Sequence, residues 1–388
     1  MTMGITSPTS TTGQILKDGT AVISFDANNN ATFAGTVVSN TPLGMRNRII
    51  NGDMRIDQRN AGASVTITNT ADRTYLLDRW AAYTSVTSKF SVQQDAGAVT
   101  PPVGFNDYLG VTSLSSYSSG SADEFFIQQR IEGYNIADLA WGTASAKTVT
   151  LSFQVRSSLT GTFSGAIANS AGNRAYVFSY SIPTANTWTT ISVTITGDTS
   201  GTWLTTNGTG LRLTFNLGSG SSSLGTAGSW GSTNFNGATG SVSVVGTNGA
   251  TFYITGVQLE VGTSATPFER RLYNQELANC QRYYQRLGSD FLVPLYNENT
   301  TSGRAIIPFP VIMRAAPASL EQSGTASDYN VRTFSSGKNC TSVPSLDRGT
   351  TNNIVVTCPV SGGVGASGGA GNLNGNNSNA FLGWSAEL

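Results

Sequence analysis

The stretch KTVTLSFQV, residues 147–155, alternates its side chains one for one: Val149, Leu151, Phe153 and Val155 on one side, Thr148, Thr150, Ser152 and Gln154 on the other. Successive side chains of an extended strand point to opposite faces, so this period of two describes a strand half buried against a core. The pattern recurs in AYVFSYSI (175–182), WTTISVTI (188–195), GLRLTFNL (210–217) and ATFYITGVQLEV (250–261). Each run is rich in β-branched and aromatic residues and bounded by Gly, Pro, Asn or Ser. Together they predict an all-β chain whose residues 42–268 form a β-sandwich of jelly-roll type. Charge is sparse between 139 and 259, where Ser and Thr supply the outward faces. Strand edges so weakly protected call for cover, and identical subunits would give it.

Working outward, ERRLYNQELANCQRYYQRLG (269–288) sets Leu272, Tyr273, Glu276, Leu277, Cys280, Tyr283 and Tyr284 at spacings of 3, 4 and 7, between Pro267 and Gly288. That predicts one helix over 269–288, with a narrow stripe suited to packing on a neighbouring copy or on its own domain. Strand-like runs return after 289 (DFLVPLY, GRAIIPFPVIM, NIVVTCPV), and the glycine-rich run 361–379 reads as a loop before Phe381, Leu382 and Trp384 dock back. Residues 289–388 are thus a second, smaller β-domain. At the other end, AVISF (21–25) and ATFAGTVV (31–38) flank the turn DANNN. Two strands cannot bury a core alone, yet Val22, Ile23, Phe25, Phe33, Val37 and Val38 are costly to leave wet. A segment ordered by pairing with copies or partners therefore fits residues 1–41 better than a disordered tail.

Composition removes several function classes. With 22 basic and 22 acidic residues the net charge is zero, and nothing supplies the positive patch that nucleic acid requires. No apolar run reaches the roughly 18 residues of a membrane helix, and MTMGITSPTSTTGQ lacks the features of a secretory signal, which predicts assembly in a cytoplasm. The absence of histidine excludes Ser-His-Asp and Cys-His machinery and the usual ligand of catalytic zinc. Cys280, Cys340 and Cys358 are too scattered for a zinc ribbon; a Cys340–Cys358 bridge stays open for a protein that works outside cells. A glycosidase needs two carboxyl groups about 5–10 Å apart, one with a raised pKa. Asp123 with Glu124, Asp72 with Asp78 and Glu132 with Asp138 are the neighbours available, but adjacent strand residues diverge. The expectation is a binding protein and not an enzyme.

The charges that do exist concentrate in MRNRIINGDMRIDQR (45–59), which holds four arginines and two aspartates although only 11% of the chain is charged. Strand alternation would put Arg55, Asp57 and Arg59 opposite Met54 and Ile56. Arg46, Arg48, Arg55 and Arg59, with Asp57, Asp78 and Arg79, read as a structural ion-pair layer whose acids are drawn from Asp53, Asp57, Asp72, Asp78, Glu132 and Glu260. An anionic-glycan site is the alternative, since arginine forks bind carboxylate or sulfate in two bonds. For neutral sugar faces the stacking candidates are Trp230 and Phe235 in the uncharged segment 218–240, and Trp384 beside the Asn-rich loop 372–379.

NRIINGDMRIDQR, YLLDRWAAY (75–83), FIQQRIEG (126–133), KTVTLSFQVR and YITGVQLEVGTSATPFERRLYNQELANCQRYYQ follow one another in an order that resembles tail-fibre and related virion proteins of tailed bacteriophages, and FPVIMRAAP (309–317) and the closing SAEL resemble their ends. The resemblance covers roughly 42–388. It implies a homotrimer assembled in the host cytoplasm and located on the virion, tail or other particle surface. Residues 1–41 would attach to other virion proteins, and the β-domains would hold host surface polysaccharide or lipopolysaccharide. It leaves open a head-fibre, decoration or connecting protein without host contact, and a glycan-depolymerising tailspike. The sandwich portion also resembles carbohydrate-binding modules, which implies a structural calcium between Asn51, Gly52, Asp53 and Glu260; no other cofactor is expected. The alternative is that Asp53 caps a turn and Glu260 pairs with Arg55 or Arg79.

Overall fold

The computed structural model describes residues 45–333, 337–362 and 367–388, together with four strands nearer the N-terminus. Those strands, Met3–Thr6, Gly13–Lys17, Thr20–Phe25 and Ala31–Phe33, pair in chain order as an antiparallel meander. They belong to a separate unit, Met1–Arg46. Its backbone register aligns Ile5 with Ile15, Ile15 with Ile23, and Ile23 with Phe33. Residues 34–38 of the expected second strand, and the rest of the expected attachment segment between these strands, lie outside the described residues.

The second unit, Asn47–Leu388, opens with a β-sandwich. One sheet of seven strands runs, in spatial order, Trp230–Gly231, Ala175–Ile182, Gly161–Ala168, Thr209–Asn216, Phe125–Glu132, Trp80–Thr84 and Thr74–Tyr75. The facing sheet has six: Thr189–Ile195, Val149–Ser157, Thr251–Val261, Leu109–Ser113, Phe90–Gln94 and Val65–Thr66. Every neighbouring pair in both sheets is antiparallel. The apolar set of each alternating run turns inward. Phe153 meets the rings of Tyr180 and Phe215 edge-on at 5.0 and 5.1 Å, in a core that also buries Trp80, Phe163, Leu213 and Phe252. The pairing of Val149–Ser157 with Thr251–Val261 slips between Ser152 and Gln154. Gly256 there has φ 62°, a left-handed conformation that glycine adopts without a Cβ penalty, and an added Cβ would strike the Phe105 ring.

The C-terminal strands build a second seven-stranded sheet around Leu292–Asn299 and Ser302–Pro308, plus a three-stranded sheet of Tyr284–Leu287, Leu382–Ser385 and Leu320–Gln322. Their shared core holds Phe291, Tyr329, Leu373 and Trp384, with Cys340 and Cys358 as free thiols.

Three local expectations are corrected. The helix covers Tyr273–Gln281 alone, and Tyr284–Leu287 is extended because its backbone pairs with Leu382–Ser385. Its buried residues are Glu276 and Cys280, while Leu272 and Tyr273 are exposed. The run 361–379 contains a strand, Ala370–Gly375, which finds backbone partners on both sides in Leu292–Asn299 and Tyr329–Thr333. Residues 51–59 form no strand: Asn51 and Met54 have φ of 56° and 61°, which breaks the alternation before it starts.

Candidate functional site

The arginine-rich stretch is a clamp. Asn47 donates from Nδ2 to the Val257 carbonyl (3.0 Å) and accepts at Oδ1 from the amides of Ile49 (2.9 Å) and Leu259 (3.0 Å). Asn51, fully buried, accepts at Oδ1 from the Ile56 amide (3.0 Å) and donates from Nδ2 to the carbonyls of Ile56 (2.8 Å) and Asp78 (3.0 Å). Directly after Asn51, Gly52 lies so close to the last sandwich strand that a Cβ would sit 2.2 Å from the Val257 oxygen.

The layer residues find partners mostly other than those expected. Arg48 pairs with Asp138 at 2.7 Å, and Arg55 with Asp53 at 3.3 Å. Arg59 pairs with Glu321 and Glu387 at 3.1 and 3.6 Å and lies 3.5 Å over the Tyr284 ring. Arg79 pairs with Glu387 and covers the Tyr283 ring at 3.6 Å. Asp57 accepts from the amides of Asn60 and Gly62 as a turn cap, and Asp78 accepts from Gln58. Burial pushes the Asp78 carboxyl up to about 6. Arg46 is half-buried at the end of the first unit. The clamp thus ties the sandwich to the C-terminal sheets, with Arg48, Arg55, Arg59 and Arg79 each paired to a carboxylate.

The outer face of the seven-stranded sheet is different. Inward residues of Phe125–Glu132 and Thr209–Asn216 belong to the core, so Phe126, Gln128 and Arg130, and Arg212, Thr214 and Asn216, face the other way. Register sets Phe126 beside Tyr83, Gln128 beside Thr214, and Arg130 directly opposite Arg212. Tyr83 and Phe126 stack at 5.3 Å, and the Arg73 guanidinium lies 6.0 and 5.9 Å from their ring centres. Gln128 Oε1 accepts from Arg73 Nε (2.8 Å) and Arg130 Nε (3.4 Å), while its Nε2 donates to Thr214 Oγ1 (2.8 Å). Arg212 donates from Nε to the Asn169 carbonyl (3.0 Å) and from Nη2 to Asn234 Oδ1 (2.8 Å). Among the described residues no Asp or Glu side chain pairs with Arg130 or Arg212. Burial draws the Arg212 guanidinium down to about 10, helped by the charges of Arg73 and Arg130. Arg73 is lowered for the same reasons, burial first and Arg130 next. Segment 218–240 walls one side of this face, its Ala238 amide held by Ser164 Oγ (2.9 Å). Beyond Arg73 the face opens into depressions of about 410 and 440 Å³ that share Arg73, Tyr75 and Ser385.

The stacking candidates fare unequally. Phe235 is half-buried in a depression of about 370 Å³ with Ala175, Val177 and Leu224, on this same side of the sheet. Trp230 is pinned edge-on against Trp141 (5.3 Å) and Trp203 (5.5 Å), with its Nε1 donating to the Thr196 carbonyl. Trp384 is 1% exposed and stacked on Phe309 at 5.3 Å, so no sugar can lie on it. Its side chain faces the core because alternation along Leu382–Ser385 follows the buried sheet.

Asp53 and Glu260 do not fit a calcium. Glu260 accepts from the Thr266 amide (2.8 Å), Thr266 Oγ1 (2.7 Å) and Gln258 Nε2 (2.9 Å), so its oxygens are engaged by internal donors. Calcium wants six to eight oxygens free to turn toward it. Among the described residues no group of three or more Asp, Glu or Cys side chains is arranged to hold a metal. The acids whose charges act together with Asp53 are Glu276 and Asp107, the latter pushed up to about 6 by burial and then by the charges of Asp95 and Asp53. The carboxyls considered for hydrolysis are separately engaged: Asp123 by Ser85 and Tyr117, Glu124 by Ser223 and Asn236, Glu132 by Arg282 and Tyr283, Asp138 by Arg48. Asp72 is exposed and Asp78 fully buried, which separates the remaining pair by environment.

No family model and no curated protein matches the chain. Among solved structures it is similar to the enzymatically active domain of tailspike protein 4 of bacteriophage CBA120, at 13% identity and TM-score 0.28, over 48% of this chain and 20% of that one. The chain therefore spans one fifth of that tailspike domain's length. It is also similar to a protein from Bacteroides thetaiotaomicron described as sugar-binding (13% identity, TM-score 0.31, 56% of this chain and 100% of that one). A third is the family 11 carbohydrate-binding module from Clostridium thermocellum (13% identity, TM-score 0.26, 52% and 97%).

Proposed function

We propose that this chain is a virion fibre protein of a tailed phage that attaches, as a homotrimer, to host surface polysaccharide or lipopolysaccharide, and that it binds without cutting. The observation that carries the reading is the outer sheet face. There the half-buried Tyr83 ring and three half-buried guanidinium groups share one surface flanked by open depressions, held in place by Phe126 and Gln128, each 2% exposed, a mixture of ring and fixed polar groups suited to sugars. Binding over cleavage is supported by the separate engagement of the candidate carboxyls. Three copies would multiply weak contacts by raising the effective concentration at each successive site.

A second reading, a head-fibre, decoration or connecting protein, draws on a different surface. Leu292 (64% exposed), Tyr296 (40%) and Ile306 (51%) lie on adjacent strands of the C-terminal sheet, an apolar face that another copy or virion protein would cover. The test is adsorption. Purified protein should bind host cells and block phage attachment, and Tyr83→Ala should weaken binding by about fivefold, roughly the 1 kcal/mol of a ring contact. A folded trimer that ignores host cells would favour the second reading; a monomer in sedimentation would remove the trimer.

A further inference from the structure

We infer that the outer sheet face selects an anionic sugar residue, its carboxylate or phosphate seated between the guanidinium groups of Arg73, Arg130 and Arg212. This rests on the glycan-binding reading above and names the class of glycan.

The argument starts from an apparent fault in the sheet. Like charges directly opposite on neighbouring strands repel, and Arg130 stands directly opposite Arg212. Arg73 reaches over the Tyr83 and Phe126 rings to join them through Gln128, which accepts from both Arg73 and Arg130. In a chain with only 11% charged residues, three cations on one sheet face are a concentration that folding does not require. Among the described residues only Arg73 of these three has an Asp or Glu side chain in an ion pair. Arg212 bonds only neutral acceptors, Asn169 and Asn234. Arg130 bonds Gln128 and the Leu388 oxygen, to which Tyr75 also donates. Arg73 has only the exposed Asp72, at 3.7 Å. Glu124, whose charge acts on Arg73 and Arg212 without a direct ion pair, is itself bonded by Ser223 and Asn236 at 2.7 Å each. By contrast the clamp arginines Arg48, Arg55, Arg59 and Arg79 each have a carboxylate. Partial burial strengthens both the repulsion and whatever relieves it. Gln128 and Asn169 fix the Nε edges, and Asn234 and Leu388 take one Nη each on Arg212 and Arg130, leaving the remaining Nη donors for an anion in paired bonds. Tyr83, half-buried and stacked on the buried Phe126, then offers its ring to the same sugar.

The test is binding of the full chain to polygalacturonate (carboxylate) and to phosphomannan (phosphate), with neutral galactan and unphosphorylated mannan as counterparts. At least one anionic polymer should bind, more weakly as salt rises, and Arg130→Gln and Arg212→Gln should each weaken it about tenfold or more, as expected for losing charged hydrogen bonds. Which polymer binds tells carboxylate from phosphate. Thermal unfolding supplies a second readout. Relief of repulsion should leave the melting temperature of Arg212→Gln unchanged or higher, and a clear drop would mean the guanidinium is a structural tie, overturning the inference. It is also overturned if anionic binding is unchanged in both variants, or if only neutral polymers bind. In the neutral case, loss of binding in Tyr83→Ala but not in the arginine variants would keep the sheet face as a glycan site while removing its charge selectivity. If no polymer binds, the selectivity fails whatever host-cell adsorption shows, and adsorption then decides the broader reading by itself.

Discussion

Replacing Asn51 by alanine should damage the fold more than any other change of its size in the clamp. The side chain makes three hydrogen bonds to buried backbone groups: the Ile56 amide, the Ile56 carbonyl and the Asp78 carbonyl. Alanine strands two of the three, the Ile56 amide and the Asp78 carbonyl, since the Ile56 carbonyl still accepts from the Asp78 amide at 3.2 Å. An unsatisfied buried group costs about 1–3 kcal/mol, so the bonds alone account for about 2–6 kcal/mol, nearer the low end if water enters the space left. Asn51 also has φ 56°. Asparagine tolerates that region, whereas alanine there costs roughly 1–2 kcal/mol. The expected loss is therefore about 3–5 kcal/mol, a large part of a domain's net 5–15 kcal/mol. Urea unfolding followed by tryptophan fluorescence measures it. Asn51→Gly adopts the same φ freely, so the gap between the Gly and Ala variants should isolate a backbone share of about 1 kcal/mol. A loss below about 1 kcal/mol for Asn51→Ala would refute the hub role, since even one stranded group costs that much.

Two further predictions concern neighbouring positions. Gly52→Ala should lower the melting temperature sharply or abolish soluble expression, because its Cβ would lie 2.2 Å from the Val257 oxygen; a variant that melts like the parent would show that the contact yields. Asp107, pushed up to about 6, holds its proton in the folded state after the unfolded chain, near pH 4, has released it. Its contribution to stability is therefore present at low pH and lost as pH rises from about 4 to 6. Asp107→Asn cannot titrate and should gain stability relative to the parent between pH 4 and 7 in thermal melts; an unchanged or reversed difference would contradict the assignment.

The sequence showed strands wherever one face meets a core. Val149–Ser157, Ala175–Ile182 and Thr209–Asn216 follow their alternation almost residue for residue. It did not show the backbone bonds of Asn51, 5 and 27 residues away, or of Asn47, across more than 200 residues, since a polar side chain that satisfies backbone groups leaves no periodic mark. The same holds for Arg59, whose acids Glu321 and Glu387 arrive from the far end of the chain, and for Tyr284, drawn out of a helical pattern by strand pairing. Half of the candidate site was legible. Alternation alone places Phe126, Gln128 and Arg130 on one side of FFIQQRIE, and Arg212 and Thr214 on one side of TGLRLTFN. What the sequence withheld is register: only the pairing of Ile131 with Leu211 makes Arg130 face Arg212. Trp384 misled because a ring beside an Asn-rich loop looks available until its sheet turns it inward.

The way the chain enters at Asn47 bears on how the molecule yields under tension. Asn47 and Arg48 grip the middle of Thr251–Val261 through the Val257 carbonyl and both backbone groups of Leu259. That strand is central in its sheet, flanked by Val149–Ser157 and Leu109–Ser113. A pull arriving at this point meets several bonds that must rupture together, where a grip on an edge strand would peel open one bond at a time. Arg59 and Arg79, laid over Tyr284 and Tyr283, pass the same strain on to the C-terminal sheets, so both lobes would drag as one anchor.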